Sequence, residues 1–393
     1  MNKKLFLVVA ISCLLVSCNN QKPKKSEKED PFINEISSSI EGNSIYTEAQ
    51  IGYLTNNDPT NTSPYNGNMS VSKPNPVLLT WNGNLDEYQV NIYRNPDMLT
   101  DPEEIVVVSG NSYEFYNGQF ETTYYWNVSS QDGEVQSEIE TFKLSRNVEG
   151  PRNLFVDGVE NVRDIGGWAK LTEEGGYKYI IKQGMLYRSG RFNEDKEETP
   201  KVTVSEDGIY EMAIHFGIKT EVDLRRTSTN EVGGLTDKSV LGDNINYVQL
   251  PMIYEGQNIL TFEGKSPRGG DDYTYNNPAM IKSFFELLAN EDNYPINYHC
   301  SIGKDRTGCL SYLVEALMGF DEEMLMRDYM FTNFADAGMC KATDINASNR
   351  YGTTLANYEN GDNLQEKTYN YLHEIVGVST QTLNSVISIL EVE

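Results

Sequence analysis

The stretch HCSIGKDRTG, residues 299–308, decides the fold of this chain. Residues 296–299, INYH, predict a strand that leads into it. After Thr307, apolar residues recur at helical spacing as far as Gly319, which is typical of a helix end. The sequence therefore predicts a tight loop between the end of a strand and the N-terminus of a helix. Such a loop is suited to bind an anion, because its backbone N–H groups converge and the helix dipole favours negative charge.

Cys300 and Arg306 are the residues of this loop that can act on a bound phosphate. Cys300 lies where the positive field is strongest, which favours its thiolate, and a thiolate is a nucleophile for phosphorus. The planar guanidinium of Arg306 can bind two phosphate oxygens at once. Gly303 lets the backbone turn without a side chain in the pocket. The pattern predicts hydrolysis of phosphate monoesters through a covalent intermediate, without a metal.

The remaining loop residues are expected to bind the phosphate or to support the loop. Thr307 can donate a hydroxyl hydrogen bond to the sulfur when the sulfur leaves, and His299 is expected to orient the loop. Lys304 adds a positive charge at the rim of the pocket. The predicted phosphate-binding residues are Ser301, Ile302, Gly303, Lys304 and Thr307.

Residues 299–307 resemble the H-C-x5-R-[S/T] signature of the protein tyrosine phosphatase superfamily. The longer H-C-x-x-G-K-D-R-T-G is similar to one bacterial branch of atypical tyrosine and dual- or triple-specificity phosphatases. Four further stretches resemble that branch in chain order: NVRDIGG at 161–167, LYRSG at 186–190, GIKTEVDLR at 217–225 and DYMFTN at 328–333. The resemblance implies a cysteine-phosphatase fold, in which helices flank a central, mostly parallel sheet.

The proton donor has two candidate positions. Many members of the superfamily use an Asp in an upstream W-P-D motif, which this chain lacks. In the branch resembled, the Asp inside the phosphate loop serves, and this position corresponds to Asp305. The alternative is Asp271 or Asp272, in a Gly-rich stretch that could form a lid.

Five charged residues at predicted strand ends are interpreted as a structural ion-pair network beneath the loop. Direct contact with the phosphate is the alternative role for them. They are Arg163, Asp164, Arg188, Asp223 and Arg225.

Residues 149–393 alternate strand-like and helix-like segments, which predicts an α/β layered domain. Predicted strands lie at 184–189, 220–225, 245–250 and 296–299. Predicted helices lie at 209–216, 278–290, 307–318, 321–334, 365–376 and 380–390.

Residues 71–148 predict short strands at regular spacing, with one early and one late Trp, as in a small all-β sandwich. LTW at 79–81 and TYYWNV at 123–128 resemble a fibronectin type III module. We expect a spacer, with contact to a protein or a glycan as the alternative. Residues 19–70 are polar and predict a flexible tether, with some order within 33–53 as the alternative.

Residues 1–18 predict a bacterial lipoprotein signal peptide. Two lysines precede a short apolar run, residues 5–16, and LVSC at 15–18 resembles the lipobox. This resemblance implies lipidation of Cys18 and a lipid-anchored protein outside the cytoplasm, on the periplasmic side or at the outer-membrane surface. An ordinary secretory signal with an incidental cysteine is the alternative.

Charge and cysteine content narrow the possible partners. With 32 basic and 58 acidic residues the net charge is −26, which argues against nucleic acid. Neither a C-x-x-C pair nor a His-rich spacing occurs, so no metal or other cofactor is predicted. The expected partner is a phosphorylated protein or a small phosphomonoester.

Three functions therefore remain. The leading hypothesis is a cysteine-dependent protein tyrosine phosphatase, which could have dual specificity. C-x-x-G-K-x-R also occurs in lipid phosphatases, so a phosphoinositide or inositol-phosphate phosphatase is the first alternative. The second is a surface lipoprotein that recognises phosphate without hydrolysing it.

Overall fold

A computed structural model describes ten ranges of the chain. They are residues 30–39, 45–65, 73–100, 102–193, 204–227, 238–254, 258–267, 269, 272–335 and 340–392. The predicted signal peptide with Cys18 and the candidate acid Asp271 lie outside these residues. In the described part of the chain, no helix combines the length and the apolar character that crossing a membrane requires.

Seven strands in the N-terminal part form two antiparallel sheets around an apolar core. They are β1 (Ile33–Ser38), β2 (Val77–Gly83), β3 (Tyr88–Tyr93), β4 (Pro102–Val108), β5 (Ser112–Phe115), β6 (Thr122–Ser129) and β7 (Glu140–Leu144). The sheet orders are β1-β2-β5 and β4-β3-β6-β7. On β6, the buried Tyr124, Trp126 and Val128 alternate with more exposed residues, because successive side chains point to opposite faces. The predicted all-β sandwich is confirmed.

Part of the predicted flexible tether is ordered, so that prediction is corrected for the described residues before 66. β1 pairs with β2 and is the first strand of the sandwich. A short helix, α1 (Glu48–Leu54), begins with a reciprocal cap between Thr47 and Gln50. Tyr53 of this helix is fully buried, with its ring 5.7 Å from that of Phe334 in the C-terminal domain. Burial of this kind depends on distant residues, which local composition does not indicate.

The C-terminal domain contains a five-stranded, mostly parallel sheet with the order β13-β12-β16-β11-β8, together with two short hairpins. The strands are β8 (Arg163–Asp164), β9 (Ala169–Leu171), β10 (Tyr177–Tyr179), β11 (Leu186–Ser189), β12 (Thr220–Asp223), β13 (Asn246–Gln249), β14 (Glu263–Lys265), β15 (Thr274–Asn276) and β16 (Ile296–His299). Three pairs of neighbouring strands in this sheet are parallel, and β8 runs antiparallel to β11. The predicted α/β fold class is confirmed.

Apolar side chains cover both faces of this sheet, as is usual for parallel strands. The helices are α2 (Glu206–Tyr210), α3 (Asn277–Leu288), α4 (Arg306–Leu317), α5 (Glu322–Phe331), α6 (Thr343–Asn346), α7 (Tyr351–Ala356), α8 (Leu364–Glu374) and α9 (Thr380–Leu390). A π-helical turn, Glu211–His215, extends α2. Leu186 and Tyr187, neighbours on β11, belong to different apolar clusters, and Tyr187 stacks on Phe216 at 4.8 Å. The sequence did not predict α6 and α7.

A buried ion cluster joins the sandwich to the C-terminal domain. His215 contacts Glu103 of β4 at 3.1 Å and Glu211 at 3.0 Å, and Arg94 pairs with Glu103 at 2.6 Å. Burial alone would lower the pKa of His215, but hydrogen bonds to the two carboxylates raise it to about 10. The imidazole is therefore charged at neutral pH and lies between two carboxylates from different domains.

We predict that His215→Gln lowers the free energy of unfolding by about 3 kcal/mol at pH 7, because two carboxylates then lose their shared cation. The folded-state pKa of His215 is raised. The stability that the charged imidazole contributes is therefore fully present below the unfolded-state pKa of about 6.5. It is lost as the pH rises through the folded-state pKa of about 10. Urea unfolding at pH 7 and pH 10.5 checks this. The exposed His373→Gln is the control, and an equal loss at both pH values would contradict the prediction.

Candidate active site

The loop between β16 and α4 is shaped so that its carbonyl groups point outward. Arg191 donates to the carbonyl of Ser301 at 3.0 Å, Asn161 to that of Ile302 at 3.2 Å, and Arg188 to that of Gly303 at 2.7 Å. With these three carbonyl groups held on the outside, the N–H groups of the loop are left to face an anion on the inside.

The backbone conformation and the close packing at residue 303 require a glycine there. Its φ is 70°, in the left-handed region. A Cβ atom there would lie 2.6 Å from the carbonyl oxygen of Ser189 and 2.8 Å from the amide nitrogen of Asn161. A side chain at this position would therefore push the loop away from β11.

Cys300 and Arg306 lie at the two ends of the loop, and both are buried. Arg306 donates to the carbonyl of Leu224 at 3.2 Å, and its guanidinium lies 5.2 Å from the centre of the Tyr254 ring. The buried hydroxyl of Thr307 has no hydrogen-bond partner among the described residues, so its predicted hydrogen bond to the sulfur is not formed here. Arg306 is thus held from behind by a backbone carbonyl.

Arg163 and Arg188 lie beneath the loop and share one carboxylate, that of Asp328 on α5. Their nitrogen atoms lie 3.0 and 2.7 Å from its two oxygens. Burial and the neighbouring Arg188 charge lower the pKa of Arg163 to about 10, so Arg163 stays protonated at neutral pH. Burial and the Asp328 charge raise the pKa of Glu315, which is a hydrogen-bond partner of Asp328, well above its ordinary value. The two arginines were predicted from the sequence, but their acidic partners were not.

Four of the five charged strand-end residues form buried ion pairs, as interpreted, but the five do not make one network. Asp223 and Arg225 pair with each other at 2.5 Å. Asp223 is on β12, and β16 separates β12 from β11 and β8, the strands that carry Arg188 and Arg163. Asp164 accepts backbone hydrogen bonds from Gly166 and Gly184, both at 2.8 Å, and burial raises its pKa to about 6. Successive residues of a strand point to opposite faces, which separates Asp164 from Arg163.

His299 supports the loop from the strand side, as expected. One ring nitrogen lies 3.0 Å from Glu221 and the other 3.3 Å from the carbonyl of Cys300. Ser239 donates to the second oxygen of Glu221. Sequence reasoning missed Glu221, although it lies inside a stretch that resembles the phosphatase branch.

Glu221, Asp223 and His299 are close enough to be considered as metal ligands, with ligand atoms within 4.8 Å of one another. The Arg225 guanidinium, however, lies 2.5 Å from Asp223, and His299 is hydrogen-bonded to Glu221. A second cation at this point would meet the charge of Arg225. The cluster therefore fits a support for the loop better than a metal site.

The two described candidates for the proton donor, Asp305 and Asp272, differ in burial. Asp305 is partly buried within the loop, and burial raises its pKa against the opposing charges of Lys304 and Arg306. It lines a pocket of about 130 Å³ together with Tyr254, Ile259, Tyr329, Asp344, Arg350 and Tyr351. The Asp272 side chain is fully exposed and pairs with Lys265 at 2.9 Å. Asp305 is therefore the better placed of the described candidates.

We predict that Asp328→Asn lowers the free energy of unfolding by about 3 kcal/mol, because two buried arginines lose their shared counter-charge. It also weakens the binding of inorganic phosphate, because Arg188 then holds the Gly303 carbonyl less firmly. Urea unfolding and calorimetry measure the two effects. The control is Glu323→Gln, which removes a carboxylate on the exposed side of α5, 2.7 Å from Arg327. A similar loss in both variants would contradict a special role for Asp328.

The chain is similar in sequence to known proteins. A model of the tyrosine phosphatase family matches residues 154–393, which is more than half of the chain. A protein of Cupriavidus necator, provisionally named a tyrosine-protein phosphatase, is 25% identical over 209 residues, covering 48% of this chain and 66% of the relative. A tyrosine-protein phosphatase of Nostoc commune is 23% identical over 156 residues, covering 38% of this chain and 51% of the relative. The chain thus spans about two thirds of the length of the Cupriavidus necator protein and about half of the length of the Nostoc commune protein.

Two solved structures show weaker similarity. The core catalytic domain of the PP-IP phosphatase SIW14 from S. cerevisiae has a TM-score of 0.28 and 17% identity, covering 42% of this chain and 80% of that one. TpbA of P. aeruginosa has a TM-score of 0.25 and 18% identity, with coverage of 43% and 81%. Similarities this low carry no argument about activity.

Proposed function

Because this chain belongs to the tyrosine phosphatase family, we propose that it hydrolyses phosphate monoesters, with phosphotyrosine in proteins as its main substrate class. One observation carries the proposal. The carbonyl groups of Ser301, Ile302 and Gly303 are all bound from outside the loop, while Cys300 and Arg306 lie at its two ends. This geometry leaves a cradle for an anion with a nucleophile at its base.

In the first step, the Cys300 thiolate attacks phosphorus, so that an S–P bond forms as the bond from phosphorus to the tyrosine oxygen breaks. Asp305 gives its proton to the departing oxygen. In the second step, water attacks the phosphocysteine, the thiolate leaves, and the Asp305 carboxylate takes the proton from the water. Arg306 and the backbone N–H groups bind the phosphate oxygens through both steps.

The raised pKa of Asp305 suits it as the acid in the first step. A general acid has to be protonated when the substrate binds, and burial favours that neutral form. His299, Glu221, Arg163 and Arg188 do not donate protons in this scheme. They hold the loop in position through the contacts described above.

The ion pair of Lys304 helps to decide between phosphotyrosine and the alternative, a phosphoinositide substrate. Its ammonium group lies 3.2 Å from Asp344, so its charge is partly neutralised at the rim. A headgroup with several phosphates needs several uncompensated cations around it. The pairing of Lys304 therefore supports phosphotyrosine over a phosphoinositide.

The location outside the cytoplasm and the lipid on Cys18 rest on the sequence pattern alone. We propose that the protein is lipid-anchored through Cys18 in the cell envelope. The sandwich, proposed to be a fibronectin type III-like module, would then hold the phosphatase domain away from the membrane. In a bacterial host, release of the Cys18→Ser variant from the membrane fraction supports the anchor, and unchanged membrane retention contradicts it.

We predict that wild-type protein hydrolyses p-nitrophenyl phosphate and a phosphotyrosine peptide under reducing conditions, and that Cys300→Ser abolishes both activities. Without the thiolate the covalent intermediate cannot form. EDTA should leave the activity unchanged. Cys309→Ser, which changes another buried cysteine, is the control and should stay active. A panel of phosphopeptides and soluble inositol phosphates identifies the substrate class, and preferential turnover of the inositol phosphates would contradict the main proposal.

We predict that Asp305→Asn lowers kcat for a phosphotyrosine peptide by about 10²- to 10³-fold. The loss should be smaller for p-nitrophenyl phosphate, whose leaving group is less basic and needs less help from an acid. In the wild type, kcat should fall as the pH rises through the raised pKa of Asp305, because the acid loses its proton. That alkaline fall should disappear in the variant. Asp272→Asn is the matched control, and a larger loss there would make Asp272 the acid.

A further inference from the structure

A cleft of about 810 Å³ lies between the sandwich and the phosphatase domain, apart from the catalytic loop. Four consecutive residues of β4, 104–107, line it. Because successive side chains of a strand point to opposite faces, a cleft that touches four in a row runs along the edge of the strand. β5 borders the cleft in the same way through residues 112–114.

Both strands are at the ends of their sheets. In the described part of the chain, β4 pairs with β3 alone and β5 with β2 alone. The outer edge of β4 therefore offers backbone N–H and C=O groups that an extended peptide could pair with. Ile105 and Val107 on this strand are 43% and 47% exposed, so apolar contacts are available beside the edge.

Carboxylates predominate around this cleft. Glu114, Asp157 and Asp207 are exposed. Glu104 and Glu211 also line it, but they are bound to Tyr113 and His215. The cationic side chains in the lining are Lys73 and His215, of which His215 is already bound between two carboxylates. A positively charged ligand would therefore meet a complementary surface.

The cleft already binds one cation, which belongs to the chain itself. The ammonium group of Lys73 lies 4.6 Å from the centre of the Tyr116 ring and 4.0 Å from that of the Phe155 ring. Such distances are typical of cation–π contacts. The contact shows which ligand charge this pair of rings accepts, and exposed Tyr210 adds a further aromatic surface.

The cleft is close enough to the catalytic loop for one peptide to reach both. Phe155 lines the cleft, and Asn161, six residues later, donates to the Ile302 carbonyl of the loop. Six residues span at most about 20 Å even when fully extended. A substrate segment of similar length covers the same distance.

We infer that this cleft is an exosite for a basic, extended segment of the phosphoprotein substrate, which pairs with the edge of β4 and places Lys or Arg side chains against the carboxylates. The inference rests on the proposed phosphatase function. It adds a source of substrate selection that is separate from recognition of the phosphotyrosine.

The test uses the full chain and synthetic peptides that carry one phosphotyrosine and, six residues away on either side, an alternating Lys-Val or Glu-Val segment. At low salt, we expect the KM of the Lys-Val peptide to be about tenfold lower than that of the Glu-Val peptide, with similar kcat. This should hold for the segment on at least one side of the phosphotyrosine. Replacing the valines by proline should remove this advantage, because proline cannot pair with a strand edge. Equal KM values for all peptides would overturn the inference, and retention of the advantage by the proline peptide would overturn strand pairing.

A triple variant, Glu114→Gln/Asp157→Asn/Asp207→Asn, locates the effect. It should raise KM for the Lys-Val peptide about five- to tenfold and leave p-nitrophenyl phosphate turnover unchanged. The matched control, Glu138→Gln/Glu173→Gln/Glu174→Gln, removes three exposed charges elsewhere. Equal shifts in both variants would mean that the overall negative charge is responsible and would overturn the exosite. Lys73→Gln should lower KM for the Lys-Val peptide about threefold, and a rise would contradict the role of the ring pair.

Failure of the exosite and failure of the enzyme can be told apart. Normal turnover of p-nitrophenyl phosphate without any preference for the Lys-Val peptide overturns the exosite alone. Absence of all turnover overturns the proposed activity. In that case calorimetry with the unphosphorylated Lys-Val peptide still measures binding, and equal affinities of the cleft triple variant and the wild type would overturn the exosite as well.

Discussion

The contact between Arg188 and the Gly303 carbonyl is the interaction on which the rest of the site depends. A loop can turn its N–H groups toward an anion only if its carbonyl groups find donors on the outside, since buried polar groups have to be paired. Arg188 supplies one such donor at 2.7 Å and is itself held by Asp328, also at 2.7 Å. The loop is thus fixed from below through a buried ion pair.

This support reaches into the N-terminal half of the chain. Arg327, next to Asp328 on α5, donates to the backbone carbonyls of Tyr53 and Asn56 at 3.2 and 2.6 Å. The segment after β1 therefore packs against the helix that carries the counter-charge of the loop. Together with the cluster around His215, it makes the sandwich and the phosphatase domain parts of one continuous core. The cleft along β4 and β5 exists because the two domains are held at this junction.

Much of the fold follows from local pattern. The predicted strands at 220–225 and 296–299 and the helix at 380–390 agree with the structure to within two residues, since each has a clear apolar periodicity or cap. Order in the segment with α1 was only the alternative to a flexible tether, because its stability comes from burial of Tyr53 against a distant helix. Glu221 and Asp328 were missed for the same reason. They lie 78 and 140 residues from His299 and Arg188, the residues that they hold.

The sequence by itself determined the chemistry. A Cys and an Arg at this spacing, with a Gly between them, place a nucleophile and a bidentate cation around one anion. The tertiary structure decided which groups support the loop. Only the strand order separates Asp223 and Arg225 from the cluster around Asp328, and only burial distinguishes Asp305 from the exposed Asp272. Burial and charge pairing depend on residues brought together from distant parts of the chain, and local sequence does not contain that information.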